Sequence, residues 1–355
     1  MSEYFSSSLS SLSPYTPGEQ PEDLSRYIKL NTNENPYSMD ESSIAEAVKS
    51  MRSLNLYPDP LQKNLKKKLS ELYGVKNENV TLSNGSDEML LFSFLAFCPR
   101  GSRILTPDIT YSFYNTLTSL VGLETVEIPL MNDFTIDADA FCREEGTVVI
   151  ANPNALTGIA LGIDDVERIV KSRRDRVVII DEAYADFGDV TALPLIEKYP
   201  NLVVVRTFSK SRSLAGARLG YAFADEVLIE DIERVRGSIN PYNINSFTLC
   251  ATEWKLRDEK STWENIERIK ETRKWTTEKL GKLGFRVLPS SANFIFVTNP
   301  LFPGDTYYSL LKERGILIRH FDKPRISSWS RITIGKREDM EKLISITEAL
   351  VNERI

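Results

Sequence analysis

Short, uniformly apolar runs alternate along this chain with amphipathic stretches. Three consecutive valines at 203–205 follow Leu202, and residues 177–180 form a second apolar run. An uninterrupted β-branched run predicts a strand that is buried on both faces. Further runs predict strands near 80–83, 103–106, 123–128, 147–151 and 219–223. Because helical patterns separate most of these strands, we predict an α/β fold whose large domain has a mostly parallel, helix-covered sheet.

The remaining pattern predicts how the chain is divided. Leu61, Leu65, Leu69 and Leu72 mark one face of a helix that ends at Gly74. A long charged helix is predicted from about 246 to 280. After it, strands at 285–288, 293–297, 316–319 and 331–334 and helices at 305–314 and 337–352 form a compact α+β unit. We therefore predict an N-terminal arm (1–29), a large domain (30–245) and a smaller C-terminal domain (246–355) that packs with the arm.

Composition excludes several classes of protein. The 355 residues carry a net charge of −6, which gives no electrostatic footprint for nucleic acid or an anionic membrane. The single histidine, His320, rules out a histidine cluster, and the three cysteines have no metal-ligand spacing, so no metal is expected. Scattered cysteines and the absence of a long apolar window predict a cytoplasmic protein with no membrane span.

Candidate chemistry lies where the two most apolar strands end. Thr207, Ser209 and Lys210 follow the valine strand, with Arg218 eight residues after the lysine. Asp181 and Tyr184 follow the other strand. Ordinary surface charges are the simpler interpretation, but open α/β sheets bind ligands at the carboxyl ends of their strands. A carboxylate for a pyridine nitrogen, a lysine for covalent attachment and an arginine for a phosphate together predict a pyridoxal phosphate site.

These motifs resemble the fold-type I pyridoxal-phosphate aminotransferases and, among them, the histidinol-phosphate aminotransferase family. The resemblance runs from about residue 12 to the end. It includes the Asn33-Glu34-Asn35-Pro36 segment, which in that family lies at the mouth of the active site, and the Tyr57-Pro58 motif. It implies that Lys210 is the catalytic lysine, that Asp181 keeps the ring nitrogen of the cofactor protonated and that Tyr184 supports its ring oxygen.

The resemblance also implies the other contacts. Tyr111 stacks on the cofactor ring, and the phosphate is held by the Gly85-Ser86-Asp87 turn, Thr207, Ser209, Arg218 and, from the neighbouring subunit, Tyr57. The anionic groups of the substrate are expected to meet the following four side chains: Tyr15, Asn33, Arg319 and Arg331. The expected assembly is therefore a homodimer with shared active sites.

One loop departs from the family pattern. Residues 152–158 read Asn-Pro-Asn-Ala-Leu-Thr-Gly, and the asparagine that meets the cofactor ring hydroxyl in the family falls on Ala155. Asn154 takes over this contact if the loop is shifted by one residue. We include Asn154 among the predicted cofactor ligands.

The activity that the resemblance implies is reversible transfer of an amino group from glutamate to imidazole-acetol phosphate, giving 2-oxoglutarate and histidinol phosphate. The partners are then a small amino donor and a phosphorylated substrate. Two alternatives stay open. An aromatic or other amino-acid aminotransferase, or an O-phosphothreonine decarboxylase, would use the same cofactor. A non-catalytic binding protein on this scaffold would not need the intact Lys210, Asp181 and Arg218.

Overall fold

The computed structural model describes residues 2–10 and 12–353. Residues 1 and 11 of the predicted arm and residues 354–355 of the predicted small domain lie outside this range. Within it the strands are β1 (Ile28–Lys29), β2 (Val80–Ser83), β3 (Arg103–Pro107), β4 (Glu124–Ile128), β5 (Thr147–Ala151), β6 (Val178–Asp181), β7 (Leu202–Thr207), β8 (Gly220–Ala224), β9 (Arg286–Val287), β10 (Phe294–Thr298), β11 (Ile316–Leu317), β12 (Arg319–His320) and β13 (Trp329–Thr333).

The helices surround these strands. They are α1 (Glu41–Lys49), α2 (Lys63–Tyr73), α3 (Ser86–Phe97), α4 (Phe113–Val121), α5 (Ala138–Arg143), α6 (Ile163–Ser172), α7 (Glu226–Ile239), α8 (Ser246–Lys255), α9 (Glu259–Lys282), α10 (Gly304–Glu313) and α11 (Arg337–Asn352). No helix in the described ranges has the length and apolar character that crossing a bilayer requires.

The larger sheet has the strand order β2-β8-β7-β6-β5-β3-β4 in the described residues. The pairs from β7 to β4 are parallel, and β8 runs antiparallel to both of its neighbours. Helices cover both faces of this sheet, and the side chains of β7 are therefore buried on both sides. Val203 and Val205 pack in one hydrophobic cluster, and Leu202 and Val204 pack in the other. The predicted α/β class and mostly parallel sheet are confirmed.

A smaller sheet is antiparallel, with the order β12-β13-β10-β9. The start of the chain joins this end of the molecule, since β1 pairs in parallel with β11. The chain from 316 to 320 therefore serves two sheets, with β11 bonded to β1 and β12 bonded to β13. The domain boundaries at residues 30 and 246 stay predictions.

Two local predictions were wrong. The helix predicted from 246 to 280 is two helices, because Asp258 caps α9 by accepting a hydrogen bond from the Ser261 N–H. Leu61 lies before α2 and is 52% exposed, so only Leu65 and Leu69 anchor that helix in the core.

The start of β8 touches the turn before α3. Ser83 and Gly220 are direct partners in the β2–β8 pairing. A Cβ atom at Gly220 would lie 2.4 Å from the Gly85 carbonyl carbon and from the Ser86 nitrogen. Backbone atoms cannot retreat as a flexible side chain can, so glycine is required for this close approach. The approach fixes the turn on which α3 begins.

We predict that Gly220→Ala lowers the free energy of unfolding by about 1–3 kcal/mol, because the added methyl group displaces the 85–86 backbone. Gly216→Ala is the matched control, since a Cβ atom there would have no atom of the described chain within 4 Å apart from its own chain neighbours. Urea denaturation of both variants measures the difference. Equal stability of the two variants would contradict the close approach.

Candidate active site

A cavity of about 270 Å³ lies at the carboxyl ends of the parallel strands, and it is bordered by the smaller sheet. Its lining brings together most of the predicted site residues, which come from distant parts of the chain: Tyr15, Asn33, Ser86, Asp87, Tyr111, Asp181, Tyr184, Thr207, Ser209, Lys210, Arg218, Arg319 and Arg331. The position at the strand ends agrees with the general location of ligand sites in open α/β sheets.

Asp181 is a buried carboxylate at the last position of β6. Its Oδ2 accepts a hydrogen bond from the Tyr114 hydroxyl at 2.8 Å, and its Oδ1 accepts one from the Ala183 N–H at 3.2 Å. Burial raises the pKa of Asp181 to about 6, and the bond from Tyr114 opposes this rise. Asp181 is therefore ionised at neutral pH, as an ion pair with a protonated ring nitrogen requires.

Lys210 is a partly buried lysine that follows β7. Its Nζ donates to the Thr32 carbonyl at 3.4 Å and lies 5.7 Å from the centre of the Tyr184 ring. Burial, assisted by the positive charge of Arg331, lowers the pKa of Lys210 to about 8. An appreciable fraction of the amine is thus unprotonated near neutral pH, and only that form attacks an aldehyde.

The first turn of α3 and Arg218 form an anion-binding corner. The opening N–H groups of a helix have no intrahelical partners, and they favour an anion. Gly85 has a left-handed backbone with φ +88°, and a Cβ there would lie 2.6 Å from an Arg218 guanidinium nitrogen. Arg218 contacts the Asp87 carboxylate at 3.3 Å and the Ser209 hydroxyl at 3.4 Å. Asp87 can thus offer an anion only its backbone N–H.

The neighbouring hydroxyls are held in a fixed arrangement. Thr207 Oγ1 donates to Ser209 Oγ at 3.0 Å and accepts from the Ser209 N–H at 3.1 Å. Because Ser209 also contacts Arg218, the two hydroxyls and the guanidinium form one connected group. This group faces the same cavity as the opening of α3.

Aromatic rings line one wall. The Tyr111 hydroxyl donates to Asp87 Oδ1 at 3.0 Å, which fixes the orientation of its ring. Tyr15 packs edge-on against Tyr111, with 5.9 Å between ring centres, and edge-on against Phe113 at 5.7 Å. Tyr15 of the N-terminal arm therefore extends the aromatic wall that contains Tyr111.

Arg319 and Arg331 face each other across the β12–β13 pair. Arg319 donates to the carbonyls of Thr16 and Pro17, and Arg331 donates to those of Asn31 and Ala155. The buried Nε of Arg331 has no hydrogen-bond partner within the described ranges. In the same part of the chain, neither guanidinium has a carboxylate within 4.0 Å. Opposed like charges are unfavourable, so this pair is suited to an incoming anion.

Tyr184 and Asn33 are also in the cavity wall. The Tyr184 hydroxyl accepts a hydrogen bond from Asn33 Nδ2 at 3.0 Å, and the Tyr184 ring packs edge-on against Phe294. Burial raises the pKa of Tyr184 above its ordinary value, so the hydroxyl stays protonated.

The structure does not place Asn154 or Tyr57 in this cavity. The Asn154 side chain donates to the Ile109 carbonyl, which lies after β3, and accepts from the Leu156 N–H in its own loop, both at 3.0 Å. The predicted replacement of the family asparagine by Asn154 stays a prediction, and the structure does not bring this side chain into the cavity lining. Tyr57 is 80% exposed and stacks on Tyr242, with 4.5 Å between ring centres.

The comparisons with known proteins agree with this geometry. Residues 25–346 match the family model of class I and II aminotransferases. The histidinol-phosphate aminotransferase of Brachyspira hyodysenteriae is 44% identical over 343 residues, which cover 96% of this chain and 97% of the relative. The histidinol-phosphate aminotransferase of Lactococcus lactis subsp. lactis is also 44% identical, and the alignment covers 98% of this chain and 97% of the relative. The chain belongs to the histidinol-phosphate aminotransferase family.

A solved structure shows the same fold. Histidinol-phosphate aminotransferase from Sinorhizobium meliloti, in complex with pyridoxal-5'-phosphate, has a TM-score of 0.88 and covers 100% of this chain and 99% of its own. At 23% identity this likeness concerns the fold alone. As a class I and II aminotransferase, this enzyme is a pyridoxal-phosphate-dependent transaminase, so the predicted family and cofactor are confirmed.

The cavity of this aminotransferase fits its cofactor in three respects. A deep ionised carboxylate, Asp181, suits a protonated ring nitrogen. The corner formed by α3 and Arg218 suits a dianionic phosphate, and glycine at position 85 leaves room for the Arg218 guanidinium in that corner. Lys210 provides an amine with a lowered pKa for covalent attachment. No cluster of three or more potential metal ligands occurs in residues 2–10 and 12–353.

The sequence analysis missed one residue that contacts the site. Tyr114 is fully buried in α4 and donates directly to Asp181. Its position, three residues after Tyr111, places both rings on one side of the helix start. The spacing could have suggested a second tyrosine facing the cavity. Its partner could not be read from the sequence, because residues 114 and 181 are far apart along the chain.

We predict that Tyr114→Phe raises the pKa of Asp181 above 6, because the carboxylate loses a donor while its burial is unchanged. The cofactor affinity of cofactor-free protein, measured against pH, then falls at a higher pH than in the wild type. Tyr307→Phe is the control, since this buried hydroxyl bonds Thr347 instead. An unchanged pH dependence in Tyr114→Phe would show that the bond does not tune Asp181.

Proposed function

We propose that this enzyme reversibly transfers an amino group between glutamate and imidazole-acetol phosphate, forming 2-oxoglutarate and histidinol phosphate. The observation that carries the proposal is the opposed pair Arg319 and Arg331, whose hydrogen bonds in the described chain go to backbone carbonyls and which has no carboxylate partner there. Both substrates carry anionic groups that such a pair can bind. The names of the relatives at 44% identity support the same substrates.

Lys210 is the proposed base and acid of the reaction. When bound, pyridoxal phosphate supplies an electron sink that stabilises negative charge at the substrate Cα. With the cofactor bound, Lys210 would take the proton from the substrate Cα and return it, and its pKa of about 8 suits both directions of this transfer near neutral pH. Its contact with the Thr32 carbonyl holds the amine on the cavity side.

The other residues bind and orient the cofactor. Asp181 keeps the ring nitrogen protonated, and Tyr184 donates to the ring oxygen. Tyr111 covers one face of the ring. The phosphate is held by the α3 turn at 85–87 together with Arg218, Thr207 and Ser209. We assign no cofactor contact to Asn154, because its amide bonds the Ile109 carbonyl and the Leu156 N–H and does not line the cavity.

The geometry of the arginine side chain determines how the anionic group of the substrate is bound. A planar guanidinium offers parallel donors that match either a carboxylate or a phosphate. Arg331 keeps its orientation through the Asn31 and Ala155 carbonyls, while Arg319 is held by the N-terminal arm next to Tyr15. One pair can therefore accept the glutamate carboxylate in one half-reaction and the substrate phosphate in the other.

We predict that kcat/KM for histidinol phosphate with 2-oxoglutarate exceeds that for phenylalanine by at least about tenfold, since one charge-assisted hydrogen bond contributes about 1.5–3 kcal/mol. Phosphothreonine should release no carbon dioxide. Coupled assays of the purified enzyme measure all three reactions, and Lys210→Ala is the inactive control. A preference for phenylalanine, or carbon dioxide from phosphothreonine, would refute the proposed substrate.

We further propose a homodimer with shared active sites. Tyr57 lies outside the cavity of its own chain and stacks on Tyr242, and apolar residues close to these two in sequence are also exposed: Leu54, Leu56 and Ile239. Exposed apolar patches are typical of protein interfaces. In this arrangement the Tyr57 hydroxyl contacts the cofactor phosphate of the partner subunit.

We predict that Tyr57→Phe weakens cofactor binding by about tenfold or more, because a hydrogen bond to the phosphate is lost. Mixing this variant with Lys210→Ala and allowing subunit exchange should restore tight binding at one site per hybrid dimer. That site combines the intact lysine of one chain with the intact tyrosine of the other. Equilibrium dialysis measures the recovery, and an active monomer would contradict the shared site.

We also place the enzyme in the cytoplasm. Cys98, Cys142 and Cys250 are free thiols in the structure, which is consistent with a reducing compartment. Cell fractionation of the source organism, followed by detection of this chain, tests the location.

A further inference from the structure

Asn33 is a buried asparagine that connects three parts of the molecule. It lies between β1 and α1 with φ +56°, a left-handed conformation that asparagine tolerates better than most residues. Its carbonyl accepts from Asn293 Nδ2 at 3.0 Å, just before β10. Its N–H and side-chain oxygen both bond the Thr333 hydroxyl at the end of β13, at 2.9 and 3.1 Å.

The Asn33 amide has a defined orientation in the structure. Thr333 Oγ1 accepts from the Asn33 N–H and donates to Asn33 Oδ1. Oδ1 is therefore the acceptor, and the amide NH₂ group faces Tyr184.

The consequence concerns the Tyr184 proton. Because the Tyr184 oxygen accepts from Asn33, its own proton must point elsewhere. The described residues provide no acceptor for this proton, and Tyr184 lines the cavity. The hydroxyl is thus presented to the cavity as a donor.

We propose that Asn33 is a positioning residue that orients the Tyr184 hydroxyl as a donor to the ring oxygen of the cofactor. Asn33 thereby acts through Tyr184 at a ring oxygen whose family asparagine contact is absent at Ala155, whereas Asn154 was predicted to make that contact directly. The inference rests on the cofactor placement given under the proposed function, but not on which amino substrate the enzyme uses.

Charged and titratable groups around Tyr184 also influence the ring oxygen. They are two cations, Arg331 and Lys210, two carboxylates, Asp181 and Asp87, and the hydroxyls of Tyr15 and Tyr111. A substitution at Asn33 leaves all of these groups in place. A change in the titration of the bound cofactor then reports on the Tyr184 hydroxyl.

The test is a spectroscopic pH titration of the bound cofactor in Asn33→Gly, since glycine accepts the left-handed backbone. Without an aligned donor the ionised ring oxygen is less stable. The titration midpoint should therefore rise by about 0.5–1 pH unit, the equivalent of one hydrogen bond. Thr333→Val, which keeps the volume and removes the hydroxyl that orients Asn33, should shift the midpoint in the same direction by a smaller amount.

A double-mutant cycle separates this role from a merely structural one. In a Tyr184→Phe background, Asn33→Gly should cause no further shift, because the hydroxyl that it orients is absent. Asn154→Ala should leave the midpoint unchanged. A full shift from Asn33→Gly in the Tyr184→Phe background, or no shift in the wild-type background, would overturn the inference. No amino substrate is present, so a wrong substrate assignment leaves this result unaffected.

Discussion

An arginine pair with no carboxylate partner in the described residues, Arg319 and Arg331, distinguishes one wall of this cavity. Arg206, Arg212 and Arg236 are more deeply buried than Arg331, and each is paired with a glutamate. Within the described residues, Arg331 and Arg319 donate hydrogen bonds to backbone carbonyls and lie over aromatic rings, with no carboxylate partner, although they face each other across two strands. Keeping opposed guanidinium groups together costs free energy unless an anion lies between them. The fold maintains this unfavourable arrangement where we propose that the substrate binds.

The scaffold supports that arrangement from both sheets. In the larger sheet, buried Glu182 accepts from Arg206 and fixes the strand ends that carry Asp181 and Lys210. In the smaller sheet, β13 carries Arg331 and, two residues later on the same face, Thr333, which holds Asn33. The first strand of the chain pairs with β11, so the arm that holds Arg319 is fixed to the same unit. The cavity is the place where these fixed elements meet.

Sequence reasoning identified the elements and the lysine, aspartate and arginine of the site because each follows a strongly apolar strand. It failed where the decisive contact is tertiary. The Tyr114–Asp181 and Asn33–Tyr184 bonds join residues 67 and 151 positions apart, which no local pattern indicates. Asn154 was predicted to bind the cofactor because its hydrogen-bond partners, Ile109 and Leu156, could not be inferred from the sequence. The break between α8 and α9 was missed because Asp258 is surrounded by other charged residues that suit a helix.

The most direct test of the proposed activity is the visible absorbance of the purified protein during titration with histidinol phosphate, with no amino acceptor present. We expect the absorbance of the lysine-attached cofactor to be lost with about one equivalent of substrate per chain, as Lys210 is released and the amino group moves to the cofactor. An unchanged spectrum with histidinol phosphate, together with a full change on adding phenylalanine, would contradict the proposed activity.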